Sequence, residues 1–150
     1  MKGPATKLFA TKADWSLTLL RVAAGVVIFP HGAQKVLGAF NGPGLQGTLG
    51  FMSSMGIPLV FAWLAIAAEF LGGIGLIFGF LTRVAAFGVF STMVTAVAMI
   101  HAKNGFFMNW TGAQKGEGIE YFIYALAVLG ILIAKGGGNL SIDRILAKSD

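Results

Sequence analysis

The sequence predicts an all-α fold, an integral membrane four-helix bundle with both termini in the cytoplasm. Three observations carry this reading. Hydrophobic residues make up 56% of the 150 residues and charged residues 11%, with a mean hydropathy of +0.79. Soluble domains carry about 25% charged residues. The apolar residues gather in four segments, 15–36, 57–80, 84–100 and 118–134, each close to the ~20 residues that cross a bilayer core as helix. Lipid cannot satisfy open backbone groups, so a handful of spans must be helical. The same composition excludes a soluble globular enzyme, a disordered chain and a nucleic-acid binder, since the net charge of +5 is scattered and forms no basic patch. The chain has no cysteine, which removes disulfides, Cys-ligated clusters and thiol relays.

The elements follow in order within one membrane domain, 1–150. The first segment has a basic start, Lys2, Lys7 and Lys12, like a signal peptide. Arg21 interrupts the would-be apolar region and no small-residue cleavage site follows, so the segment reads as a retained helix. Asn41-Gly42-Pro43-Gly44 is a turn cluster. Leu45, Leu49 and Met52 then repeat at i, i+4 and i+7, which suggests a short helix in the membrane interface within the first outer loop. The second and third segments join through a tight turn at 81–83 and are antiparallel neighbours. Gly75 and Gly79 form a G-x-x-x-G pair for close helix approach. The third loop carries Phe106, Phe107 and Trp110, which suit the headgroup zone. Gly136-Gly137-Gly138 ends the fourth segment, and Ser141 offers an N-cap for a short cytoplasmic helix.

Orientation comes from the basic residues outside the spans. Lys2, Lys7, Lys12, Arg83, Lys135, Arg144 and Lys148 fall on the side of the termini, against Lys35, Lys103 and Lys115 opposite. Basic residues accumulate in the cytoplasm, so the termini are expected there and the membrane is the cytoplasmic (inner) one.

At 100° per residue, Arg21, Gly25, His31, Gly32 and Lys35 share an arc of about 120° on the first helix. Glu69 shares a face with Ala62, Ala65, Gly72, Gly73 and Leu76 on the second. Glu117, Glu120, Tyr124, Ala127 and Ile131 share one on the fourth. Small residues permit close helix packing in lipid, and ionisable groups in spans face the bundle interior, so these faces are expected to turn inward. At ~1.5 Å per residue, Arg21 lies about 22 Å and Glu69 about 18 Å from the outer ends of their helices. The two are expected to form an intramembrane ion pair. His31, Lys35, His101, Glu117, Glu120 and Tyr124 fall near the outer side and form the candidate ligand site. Each feature also has a structural reading: the pair fixes helix register, His31 and Lys35 snorkel to headgroups, and His101 marks a helix boundary. No H-x-x-H or H-E-x-x-H spacing occurs, so no metal site is expected, and no nucleophile stands with a base.

Several stretches together resemble a known family. They are Leu20-Arg21-Val22-Ala23-Ala24-Gly25, Pro30-His31-Gly32-Ala33-Gln34-Lys35, Ala68-Glu69-Phe70-Leu71-Gly72-Gly73 and Gly79-Phe80-Leu81-Thr82-Arg83. Further on come His101-Ala102-Lys103-Asn104-Gly105, Gly118-Ile119-Glu120-Tyr121 and Leu140-Ser141-Ile142-Asp143-Arg144. In order and spacing they resemble the DoxX family of small four-helix membrane proteins from about Asp14 onward. The resemblance implies that the first helix is kept. It also implies links to membrane oxidoreductase complexes, including thiosulfate oxidation with quinone as acceptor, or to oxidative-stress complexes. Arg21, His31, Lys35, Glu69, His101 and Glu120 match the family's polar positions.

Three functions stay open on the sequence. The first is a membrane subunit of an oxidoreductase, with a quinone as a compatible ligand in an apolar groove near His31 or Tyr124. The second is a small-solute or proton pathway through Arg21 and Glu69. The third is a non-catalytic assembly partner. The expected partners are the lipid bilayer, oxidoreductase subunits and further copies of the chain.

Overall fold

The computed structural model describes residues 8–148, so Lys2 and Lys7, two of the basic residues used for orientation, lie outside the described residues. The described residues are helical, with no strand among them. Asp14 caps the first helix, α1 (Trp15–Leu37), by accepting a hydrogen bond from the Ser16 N–H at 2.7 Å. The helix closes on Gly38, whose left-handed φ of 68° suits glycine. A short α2 (Gly44–Ser54) follows and is buried only at Thr48. Pro58 introduces α3 (Leu59–Phe78), which ends on left-handed Gly79. The next helix, α4 (Thr82–Ala96), continues through a π turn, Val97–His101, and a 3-10 turn, Ala102–Asn104. A long loop leads to α5 (Glu120–Lys135), and the chain closes with α6 (Ile142–Lys148).

Among the described residues, three helical stretches are long and apolar enough to cross a membrane: Trp15–Leu37, Leu59–Phe78 and Thr82–Asn104. At 16 residues, α5 is about 24 Å long, shorter than each of these.

The four long helices pack in a ring. Neighbours in the order α1, α3, α4, α5 are in extensive contact, whereas α1 and α5, which would close the ring, meet loosely. The tightest seam is between α1 and α3, and glycine makes it. A Cβ at Gly32 would stand 2.5 Å from the Phe70 nitrogen, and one at Gly73 2.8 Å from the Phe29 Cα. Backbones approach this closely only without side chains between them. Inside the ring, Ile28, Leu76, Val89, Leu129 and Leu132 form a filled apolar core. Leu19, Val26, Leu64, Leu71 and Phe87 face outward, the pattern of a protein whose outer solvent is lipid.

Two expectations about faces are corrected. Gly79 does not share a packing face with Gly75, because it is the left-handed end of α3. On α5 the inward residues are Phe122, Leu129 and Leu132, while Tyr124, Ala127 and Ile131 face out. Glu120 is a poor guide to the inner face because, on the first turn, its carboxylate is taken by the loop before it.

Candidate functional site

One end of the bundle, the tail end, is built around Arg21, which is 1% exposed. Its Nε donates to the Gly137 carbonyl at 2.9 Å. Nη1 donates to the carbonyls of Leu76 and Ile77 at 2.5 and 2.6 Å, and Nη2 donates to that of Leu140. The Leu76 and Ile77 carbonyls belong to the last turn of α3, where orphan carbonyls and the helix dipole favour a cation. Asp143 lies within electrostatic reach of the guanidinium. Its two oxygens accept hydrogen bonds from the Leu81 and Thr82 N–H groups at 2.7 and 2.8 Å, capping α4 from the tail. Arg83 donates to the Ala10, Ile133 and Ala134 carbonyls. The Ser141 hydroxyl accepts from the Arg144 N–H at 3.2 Å. Residues 137–144 are thus laced onto the end of the bundle.

Arg21 and Glu69 therefore do not form the expected pair. Val36 and Ile57 were expected to lie level, but α1 and α3 are offset. Gly32 faces the backbone of Glu69 and Phe70, and Gly25 faces Ile77. In that register Glu69 is level with the residues just beyond Gly32, about 12 residues of rise or roughly 18 Å from Arg21.

Glu69 instead accepts from the Lys35 ammonium in an ion pair between its Oε2 and Lys35 Nζ. The Glu69 side chain is 6% exposed and that of Lys35 25%, so the carboxylate is the buried partner. A lone charge at such depth costs several kcal/mol, and the Lys35 ammonium offsets part of that penalty. Tyr121 on α5 brings its phenol within electrostatic reach of Glu69. In the sequence Tyr121 stands out only as part of the stretch Gly118-Ile119-Glu120-Tyr121. The available signal was its place one turn before the small residue Ala125, on the same face of the helix.

The rest of the expected outer cluster is divided. His101 Nδ1 and the Asn104 amide meet the Glu117 carbonyl at 2.8 and 3.0 Å. The Glu117 carboxylate accepts from the Asn109 N–H at 2.6 Å, and that of Glu120 from the Met108 N–H at 3.2 Å. The His101 ring lies 4.4 Å from that of Phe122. These groups tie the loop before α5 to its first turn. His31 is exposed, and its imidazole meets no hydrogen-bond or ion-pair partner among the described residues. It does not join Lys35.

Where α1 and α5 part, a cleft of about 180 Å³ opens from the flank of the bundle. Its walls come from one face of α1, Leu20 to Ile28, and one of α5, Tyr121 to Leu129. All the lining side chains are apolar apart from the hydroxyls of Tyr121 and Tyr124. Tyr124 is 72% exposed at the mouth, and Tyr121 is half-buried.

Comparison with known proteins fits this architecture. The chain is 35% identical over 139 residues to the inner membrane protein YqjF of Escherichia coli K12, covering 90% of this chain and 95% of that protein. It is 33% identical over 131 residues to a Bacillus subtilis protein named "Putative oxidoreductase CatD", covering 87% of this chain and 86% of that one. The inner membrane protein YphA of Escherichia coli K12 is 28% identical over 134 residues, 85% of this chain and 88% of that protein. No solved structure matches the chain significantly. The profile of the DoxX family matches residues 16–102, a stretch that contains Arg21, Lys35 and Glu69. An apolar helical ring, inner membrane relatives and this match lead to one conclusion: the chain is a multi-pass membrane protein and belongs to the DoxX family.

Proposed function

We propose that this chain is the membrane subunit of an oxidoreductase complex and admits a lipid-soluble, quinone-type carrier from the side, between α1 and α5. The observation that supports this is the flank cleft. An engineered apolar cavity of about 150 Å³ accepts benzene, so a cleft of about 180 Å³ has room for one substituted ring. Apolar walls with one or two hydroxyls are the chemistry expected of a site for such a ring. The name borne by the Bacillus subtilis relative points to the same class of reaction. In this reading α5 is a fourth crossing helix and both termini lie in the cytoplasm.

A solute or proton path along the bundle axis is less well supported. Between Glu69 and Arg21 the interior is filled by Ile28, Leu76, Val89 and Leu132, each at most 3% exposed, and the tail covers the end beyond. Such packing leaves no continuous aqueous route within one copy.

The test is gentle purification in native nanodiscs, organic extraction, and an ultraviolet difference spectrum on borohydride reduction. A quinone-type spectrum near one carrier per chain is expected, falling at least tenfold in an Ala125→Phe variant that fills the cleft. An extract free of any such ring, from membranes that contain it, would overturn the reading.

A further inference from the structure

What the tail presents to Arg21 and to the start of α4 is all acceptor. The Gly137 carbonyl takes Arg21 Nε at 2.9 Å, and the Leu140 carbonyl takes Nη2. The Asp143 carboxylate takes the Leu81 and Thr82 N–H groups through one oxygen each, at 2.7 and 2.8 Å. Those N–H groups open α4 from a Leu81 in left-handed backbone, φ 48°, and successive N–H groups in such a turn form an anion-binding nest. Only Nη1 of Arg21 is committed to α3, through the Leu76 and Ile77 carbonyls.

One donor at the same place is left over. Among the described residues, the Thr82 hydroxyl oxygen is the one buried polar side-chain atom without a hydrogen-bond partner, in a residue 0% exposed. Leaving such a group unpaired is costly. It points at the tail: a Cβ at Gly137 would stand 2.5 Å from that oxygen and 3.2 Å from both Arg21 Cδ and Ser141 Cβ. One at Gly79 would stand 2.8 Å from Ser141 Cα and 2.9 Å from Arg21 Cζ. The tail is thus wedged between the guanidinium and the first turn of α4.

We propose that this place is an oxyanion site in which the tail sits as a stand-in ligand, and that a phosphate-class group displaces it. The donors are Arg21 Nε and Nη2, the Leu81 and Thr82 N–H groups and the Thr82 hydroxyl. The tail leaves that hydroxyl unserved. A phosphate brings three acceptor oxygens and pairs with guanidinium and backbone N–H groups alike. The tail is then a strap that closes the site, which does not depend on the flank cleft. The phosphate is that of a soluble ion or of a lipid phosphomonoester head, and both reach the end of a membrane bundle.

The experiment uses the full chain in phosphatidylcholine nanodiscs, with inorganic phosphate titrated against chloride at matched ionic strength. Thermal-shift midpoints report binding, since a ligand of the folded state raises them, and trypsin cleavage after Arg144 reports release of the tail. Asp143→Ala removes the competing carboxylate and is expected to bind phosphate roughly tenfold more tightly than the wild type. In the wild type, saturating phosphate should speed cleavage after Arg144 several-fold. Thr82→Val separates the site from a mere helix cap. It replaces an unpaired hydroxyl by a methyl of the same shape, so the midpoint without phosphate should hold or rise, yet phosphate affinity should fall about fivefold, the loss of one hydrogen bond. This variant decides the matter in the wild-type chain if Asp143→Ala fails to fold. In a second arm, phosphatidic acid in the nanodisc replaces inorganic phosphate. A response in either arm supports the site and names its source, and silence in both overturns it. Equal phosphate affinity in the wild type and Asp143→Ala, or an affinity that ignores Thr82→Val, overturns it too. So does acetate that binds as well as phosphate, or phosphate binding without faster cleavage.

Discussion

Arg21 is answered by backbone carbonyls, not by a carboxylate side chain, and that changes what its removal does. A guanidinium offers five N–H donors in a rigid fork, and here they serve four carbonyls from α3 and the tail. Arg21→Leu should destabilise the detergent-purified protein by about 3 kcal/mol or more, since each buried acceptor left without a donor costs ~1–3 kcal/mol. Arg21→Lys should recover only part, because an ammonium carries three donors and no planar fork. Thermal-shift midpoints measure both. They also separate the ion pairs: losses from Arg21→Leu and Glu69→Leu should add, whereas those from Lys35→Leu and Glu69→Leu should be coupled by more than about 0.5 kcal/mol. Additivity in the second pair, or strong coupling in the first, would contradict the geometry.

For the helices, the sharpest contrast lies between two glycines that look alike in sequence. Alanine is favoured over glycine in a helix by about 1 kcal/mol. At Gly130 of α5 a Cβ would meet nothing within 4 Å, so Gly130→Ala should raise the melting midpoint. At Gly32 the same atom would stand 2.5 Å from backbone atoms of Phe70, and α1 and α3 would have to part. Overpacking costs about 1–3 kcal/mol, so Gly32→Ala should lower the midpoint despite the gain in propensity. Opposite signs for the two variants check the seam. The helices and the small-residue faces of α1 and α3 were legible in the sequence, because apolar length and closely spaced small residues are sequence properties. The offset between those helices was not, since it is set by which glycine meets which backbone. The inner face of α5 was misread because Glu120 and Glu117, which anchored the wheel, bond to N–H groups of the preceding loop. Arg21's partners were hidden for a simpler reason. They are carbonyls of Leu76, Ile77, Gly137 and Leu140, and every residue has one.

On the scale of the whole molecule, the bundle has a sealed end and a cleft on one flank. Reporter fusions after residue 150 and within 41–56 should report opposite faces of the membrane, with the former cytoplasmic; an extracytoplasmic signal from the former would reverse the orientation. Asp143→Ala removes the acceptor that caps α4 and should cost about 1–2 kcal/mol, read as a lower midpoint with the helices intact by circular dichroism. The clasp of Arg21 by residues 137–140 also bears on how the protein is made. The cation enters the membrane with α1, early in translation, but two of its four carbonyl ligands, Gly137 and Leu140, are synthesised only after α5. Until then α1 carries a charge that lipid disfavours by ~3 kcal/mol or more. Completion of the bundle is therefore tied to emergence of the tail. A nascent chain cut at residue 136 should insert and yet remain unlocked, and so be degraded faster. A pulse-chase half-life several-fold shorter than that of the full chain would show it.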